Sequence, residues 1–239
     1  MNLLHLFGLL IKYKLPFINR NDCSKEIKQM FSDGGSVWQK FAQTLSLNGE
    51  LIGEELAADL KTMCFQCPEH DHAYSVRIIK DAFGDKYDTK HMETIGSGTI
   101  SQVYKSCIAE TGKLVAIKVM HPNVKKEISE ACNYYKEVKT SLLFPSHFIT
   151  ICDLFFQDLK QQLEMSMEFK NGKRYKKMIH PKPDGNYIIV VPEMIDVSKK
   201  CLVMSYEESV LAANVLSTGL DKHIIMKMCE TLPNLHCIV

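Results

Sequence analysis

Two short segments constrain this chain more than any other feature. One is Ile95-Gly96-Ser97-Gly98-Thr99-Ile100-Ser101-Gln102-Val103-Tyr104-Lys105; the other is Val115-Ala116-Ile117-Lys118. Short β-branched runs at Glu93 to Ile95, Ile100 to Ile108 and Leu114 to Met120 are separated by turn signals at Gly96 to Gly98 and at Thr111-Gly112. That spacing predicts three consecutive antiparallel strands. A turn of small residues lets backbone amides approach phosphate oxygens with no side chain in the way. A lysine on the third strand then adds a point charge for the same oxygens. Singly, Gly-Ser-Gly is an ordinary hairpin turn and a strand lysine an ordinary solvated residue. Their order and separation are what carry the information.

Helical spacing dominates on both sides of this meander. After Ser32-Asp33-Gly34-Gly35, Val37 to Leu47 and Gly53 to Met63 read as helices; a loop rich in Cys, Pro and His runs from Cys64 to His72, and helical spacing continues to Tyr87. Beyond the third strand, Asn123 to Leu143 and Ile151 to Ile179 read as helices. In the second, Phe155, Leu159, Leu163 and Met167 recur every four residues as a buried stripe, with Glu164 and Glu168 as a row beside it. Strands are expected again at Tyr187 to Val191 and Cys201 to Tyr206, then helices at Ser209 to Leu216 and Asp221 to Thr231.

The predicted class is therefore α+β. A five-stranded antiparallel sheet with one long helix inserted after the third strand has the order of a protein-kinase N-lobe. A helical N-terminal extension is expected to precede it, with only the start of a second lobe to follow. The expected divisions are residues 1–20 (apolar segment), 21–88 (helical extension), 89–206 (kinase-like lobe) and 207–239 (hinge and start of a second lobe). Within a partly desolvated cleft Lys118 needs an anionic partner. Glu168 is preferred to Glu164 for that role.

Composition narrows the classes of partner. The chain has 239 residues, of which 46% are hydrophobic, and a formal charge of +1, so it has material for a sizeable core but no field strong enough to hold nucleic acid. Nine cysteines, an odd number in a chain too long to need stapling, favour reduced thiols and an intracellular setting. Leu3 to Ile11 is too short to span a bilayer and lacks the charge order of a secretory signal. It reads as a helix packed on the protein's own core. An interfacial membrane or lipid contact, with Lys12, Lys14 and Arg20 following it, is the alternative.

The chain resembles the UbiB-type atypical kinases, also called aarF-domain-containing kinases, through four segments between residues 34 and 208. Gly35-Ser36-Val37-Trp38-Gln39-Lys40-Phe41-Ala42-Gln43 is similar to the family's Gly-Pro-x-x-x-Lys-x-Gly-Gln signature, with Lys40 and Gln43 matching and Ala42 in place of a glycine. Gly96-Ser97-Gly98-Thr99-Ile100-Ser101-Gln102-Val103 stands where the family has Ala-Ala-Ala-Ser-Ile-Ala-Gln-Val. Ala116-Ile117-Lys118-Val119-Met120-His121-Pro122 is close to Ala-Val-Lys-Val-x-His-Pro; the His-Pro pair is also read as ending the strand. In Gln162-Leu163-Glu164-Met165-Ser166-Met167-Glu168-Phe169-Lys170-Asn171, Glu168 and Asn171 match the family pattern, Glu164 keeps one carboxylate and Gln162 replaces another. Leu202 to Glu207 resembles the fifth strand and hinge, where Ser205 and Tyr206 would read adenine through backbone groups.

The resemblance implies ATP or ADP with magnesium, held by Gly96, Ser97, Gly98, Thr99, Lys118, Ser205 and Tyr206, and a role in coenzyme Q or isoprenoid-lipid metabolism. It also implies a mitochondrial or membrane-peripheral location. The sequence contains no His-x-Asp-Leu-His-x-x-Asn or Asp-Phe-Gly-like segment, so no catalytic residue is assigned. The expectation is nucleotide binding, weak at best, without phosphoryl transfer. The surface a missing second lobe would cover is expected to drive association. Two alternatives stay open. One is a non-catalytic, pseudokinase-like interaction module. The other is a small zinc loop built from Cys64, Cys67, His70 and His72, although four ligands so closely spaced are sterically awkward.

Overall fold

Residues 3–61, 69–140, 144–178 and 190–208 are described by the structure, a computed structural model. Residues through Ser205 form one unit, and Tyr206 begins a second, of which only residues 206–208 are described. The expected meander forms: β1 is Glu93–Ser97, β2 is Ser101–Cys107 and β3 is Leu114–Met120. With β4 (Met194–Val197) and β5 (Cys201–Ser205) it makes a five-stranded antiparallel sheet in the order β1-β2-β3-β5-β4.

Strand alternation explains why β3 occupies the middle. Val115, Ile117 and Val119 are fully buried with Tyr104, Cys201, Val203 and Ile79 on one face. On that face lies α6, His72–Phe83, which packs on β3 and β5. Ala116, Lys118 and Met120 point to the opposite face. There Met120 and Leu202 join a separate, larger cluster.

The fourth strand differs from expectation. Tyr187 to Ile189 lie outside the described residues, Val190 and Val191 have no regular structure, and the strand forms at Met194–Val197. Pro192 cannot donate to a sheet ladder. The tight link from Ser198 to Cys201, in which Ser198 N donates to Cys201 O and Cys201 N to Ser198 Oγ, then sets Val197 opposite Leu202.

The long helix expected from Ile151 to Ile179 is two helices, α8 (Ser146–Gln162) and α9 (Met165–Met178). A strict four-residue repeat drifts by roughly 40° per step around a 3.6-residue helix, so such a stripe cannot stay buried indefinitely. Phe155 and Leu159 are buried, Leu163 caps the helix half-buried, and Met167 is 45% exposed. Glu164 N donates to Gln161 O in the tightened last turn, and the fully buried Met165 restarts the apolar face in a new direction. This break turns Glu168 toward the sheet.

The remaining helices share one aromatic core. They are α1 (Leu3–Tyr13), α2 (Arg20–Asp33), α3 (Ser36–Ser46), α4 (Gly49–Ile52), α5 (Glu54–Lys61) and α7 (Val124–Lys139). Phe31, Trp38, Phe41, Phe148, Phe155 and Phe156 pack edge-on or tilted with centroids 4.8–6.5 Å apart. Leu3, Leu6, Leu9, Leu10 and Tyr13 bury one face of α1 in this core, as its apolar spacing predicts. Among the described residues no helix is long and apolar enough to cross a membrane.

Candidate functional site

Lys118 sits on the central strand, paired in register with Val103 on one side and Leu202 on the other. Val103 in turn pairs with Gly96, so Gly96 and Lys118 belong to one row across three strands. Two strand spacings separate them by about 10 Å. The turn is closed by Gly98 N donating to Ser101 O at 2.9 Å, and Thr99 beside it is buried. Gly96 and Ser97 are the last residues of β1, where the register against β2 shifts between Thr94 and Gly96.

Opposite Lys118, α9 presents Glu168. The Lys118 Nζ donates to both carboxylate oxygens at 2.8 Å, and the two side chains are 19% and 18% exposed. One turn further along α9 comes Gly172, which is buried against β4. A Cβ there would stand 2.5 Å from Met194 Cε and 2.8 Å from Met194 Cγ. A side chain at this position would require Met194 to shift or α9 to draw back from β4. Sequence reasoning did not single out Gly172. Its signal was present, since a glycine four residues after a functional glutamate, inside a helix, is unfavourable unless something packs on it.

Other sequence-selected residues occupy α3, the α8–α9 junction, α9 and the end of β5. Lys40 and Gln43 lie on α3, both half-buried. At the end of α8, Gln162 donates to Asp158 Oδ2 at 2.6 Å. Glu164 is exposed between α8 and α9, where its carbonyl accepts from Met167 N and Glu168 N. Asn171 is exposed on α9. Ser205 ends β5 and exchanges hydrogen bonds with Glu193, its Oγ accepting from Glu193 N and its N–H donating to Glu193 O. Tyr206 is the first residue of the following unit.

Beside the glycine turn lies a group the sequence had placed elsewhere. His70 Nδ1 is 2.6 Å from His121 Nδ1, His70 Nε2 is 2.5 Å from Ser75 Oγ, and His121 Nε2 is 2.8 Å from the Gly98 carbonyl. Gln102, buried, accepts from His70 N and donates to Glu69 and to Thr94 Oγ1. Burial, with His121 as a second cause, holds the His70 imidazole down at about 4, so it is neutral at ordinary pH. His121 therefore does more than help end β3. For the zinc-loop reading, Cys64 and Cys67 lie outside the described residues, both ring nitrogens of His70 face protein groups, and His72 packs its ring edge on Tyr104. Among the described residues no group of three or more His, Cys, Asp or Glu side chains is arranged to hold a metal ion.

A meander with a small-residue turn, a central-strand lysine and a helix glutamate clamping it define a kinase-like N-lobe. The sequence pattern of the ABC1 atypical kinase-like domain matches residues 63–232, and the chain belongs to that family. It is 25% identical over 215 residues to an ABC1 family protein MCP2 homolog of Schizosaccharomyces pombe, covering 86% of this chain and 37% of that protein. It is 27% identical over 189 residues to a probable serine/threonine-protein kinase abkC of Dictyostelium discoideum, covering 72% of this chain and 26% of that one. A probable protein kinase UbiB of Shewanella woodyi is 28% identical over 125 residues, 48% of this chain and 23% of the other. The chain thus spans between a quarter and two fifths of the length of the first two relatives.

Proposed function

We propose that this chain binds an adenine nucleotide, ATP or ADP, between the Gly96–Gly98 turn and the Lys118–Glu168 pair. The observation that carries the reading is the two-pronged contact of Glu168 with Lys118, which fixes an otherwise flexible ammonium in a half-enclosed position facing the turn's row. A lysine held this way is ready to meet α- and β-phosphate oxygens without losing further side-chain freedom. Magnesium enters with the nucleotide's phosphates, as it commonly does. Both oxygens of Glu168 are engaged by the lysine, so no magnesium ligand is assigned here.

Phosphoryl transfer further needs an aspartate at the attacking group and metal-holding side chains. No segment of this sequence is assigned to those roles. Support of coenzyme Q or isoprenoid-lipid metabolism, in a mitochondrial or membrane-peripheral setting, is the corresponding family-level reading. An N-terminal membrane contact is favoured by Leu4, Ile11, Leu15 and Phe17, exposed beside Lys12 and Lys14.

Thermal-shift titration with ATP or ADP and magnesium tests the nucleotide claim. A saturable rise in Tm that is lost in Lys118→Ala is the expected result. No shift in folded protein, or an equal shift in the variant, leaves a non-catalytic interaction module as the better description.

A further inference from the structure

We propose that Ser75, His70 and His121 form a one-way hydrogen-bond relay that fixes the Gly98 carbonyl, making both histidines positioning residues for the phosphate-facing turn. The proposal rests on the nucleotide reading for its purpose, but its geometry stands independently. With both rings neutral, the direction of every bond follows from the last one. A carbonyl oxygen can only accept, so the hydrogen of the 2.8 Å contact to Gly98 O sits on His121 Nε2. Neutral His121 then has a lone pair on Nδ1, and the 2.6 Å contact requires His70 to carry its hydrogen on Nδ1. Neutral His70 is left with an acceptor at Nε2, and the buried Ser75 hydroxyl donates to it at 2.5 Å.

The relay is anchored at both ends. Ser75 belongs to α6, which packs on the sheet's far face, and the His70 backbone N–H is held by Gln102 Oε1 on β2. At the turn, His121 grips twice: its backbone N–H donates to Ile100 O at 2.9 Å and its ring donates to Gly98 O. Gly98 is also bonded through its N–H to Ser101 O, so both polar groups of its backbone are fixed. A glycine turn is intrinsically the most mobile backbone available. Tying down its carbonyl limits the orientations its peptide groups can offer to phosphate.

The surroundings keep His70 neutral. Tyr74 and Tyr104 close over His70 with ring centroids at 5.1 and 6.5 Å. The nearby charges and titratable groups are Glu69, bonded to Gln102, Asp71, whose side chain caps α6 at Ala73 N, and His72. Among the described residues, none of these carboxylates is hydrogen-bonded to either imidazole in the relay.

Nitrogen-15 NMR of the intact chain reads the tautomers directly. The expected signature is a hydrogen on Nδ1 of His70 and on Nε2 of His121. The reverse tautomer on either ring overturns the relay. His121→Leu removes the donor to Gly98, whereas His121→Gln can still supply one. Amide exchange at Gly98 should accelerate about fivefold to tenfold in the leucine variant and much less in the glutamine variant. Equal acceleration in both means that His121 only packs, and the proposal fails. Nucleotide affinity, where wild type shows it, should fall in the same order. If wild type binds no nucleotide while tautomers and exchange behave as stated, the relay stands and the nucleotide reading falls.

Discussion

Replacing Glu168 by alanine leaves the Lys118 ammonium, 19% exposed, facing a gap where two acceptors stood. With nitrogen and oxygen 2.8 Å apart, the direct attraction is about 6 kcal/mol at an effective dielectric of about 20. Withdrawing both groups from water offsets most of that. Fully exposed pairs contribute about 0–1 kcal/mol, and breaking a fully buried pair costs about 3–5 kcal/mol. A pair less than one-fifth exposed belongs between these limits, so Glu168→Ala should destabilise by about 1–3 kcal/mol. Lys118→Met should do the same, because it leaves the carboxylate unpartnered. The double variant Lys118→Met/Glu168→Ala, which removes both charges, should be less destabilised than the sum of the two singles. Urea denaturation of the four proteins at fixed salt gives the cycle directly, and the expected coupling is about 1–2 kcal/mol. Additive single effects, with coupling below about 0.3 kcal/mol, would show that the two side chains do not meet in solution. The site would then lose its central feature.

Three further outcomes follow from the same structure. His70 is held neutral down to about pH 4, against about 6.5 when unfolded, so the unfolded chain binds the extra proton first. Stability should therefore fall between about pH 6.5 and 4, by about 1–2 kcal/mol after allowance for partial solvent access, and His70→Phe should flatten that part of a Tm-versus-pH curve. Asp196 accepts from Lys86 at 2.6 Å and from the Tyr87 hydroxyl; burial raises its carboxyl, but these bonds outweigh it and hold it below the ordinary range. Its contribution should be complete above about pH 4 and disappear as pH falls through the depressed value, and Asp196→Asn should lower urea stability at pH 7 by about 1 kcal/mol. Gly172→Ile should push α9 off β4 and weaken nucleotide binding in titrations even where the protein stays folded, since the added side chain meets Met194. Unchanged affinity would show that α9 and Glu168 tolerate the shift.

The first three strands were legible in the sequence because their signals are local. β-branched runs, Gly-rich turns and a two-residue alternation specify β2 to within one residue at each end and β3 at its expected bounds, whereas β1 runs two residues further, through Gly96 and Ser97, which were expected in the turn. Glu168 was also legible, since it follows from Lys118's need for an anion and from helical spacing. The fourth strand and the α8–α9 break were not. Both depend on what a residue packs against: Val197 is set by the turn to β5, and Met165 by burial in a core built from residues far away in the chain. The same limit hid the histidines. His70 and His121 are 51 positions apart, and nothing in the spacing of either announces the other. Sequence alone determined the three-strand meander, the lysine and its partner, because those follow from local periodicity and charge. Only the tertiary structure decided that Gly172 packs on Met194, and that two imidazoles meet behind the turn, because close contact between distant segments is a property of packing.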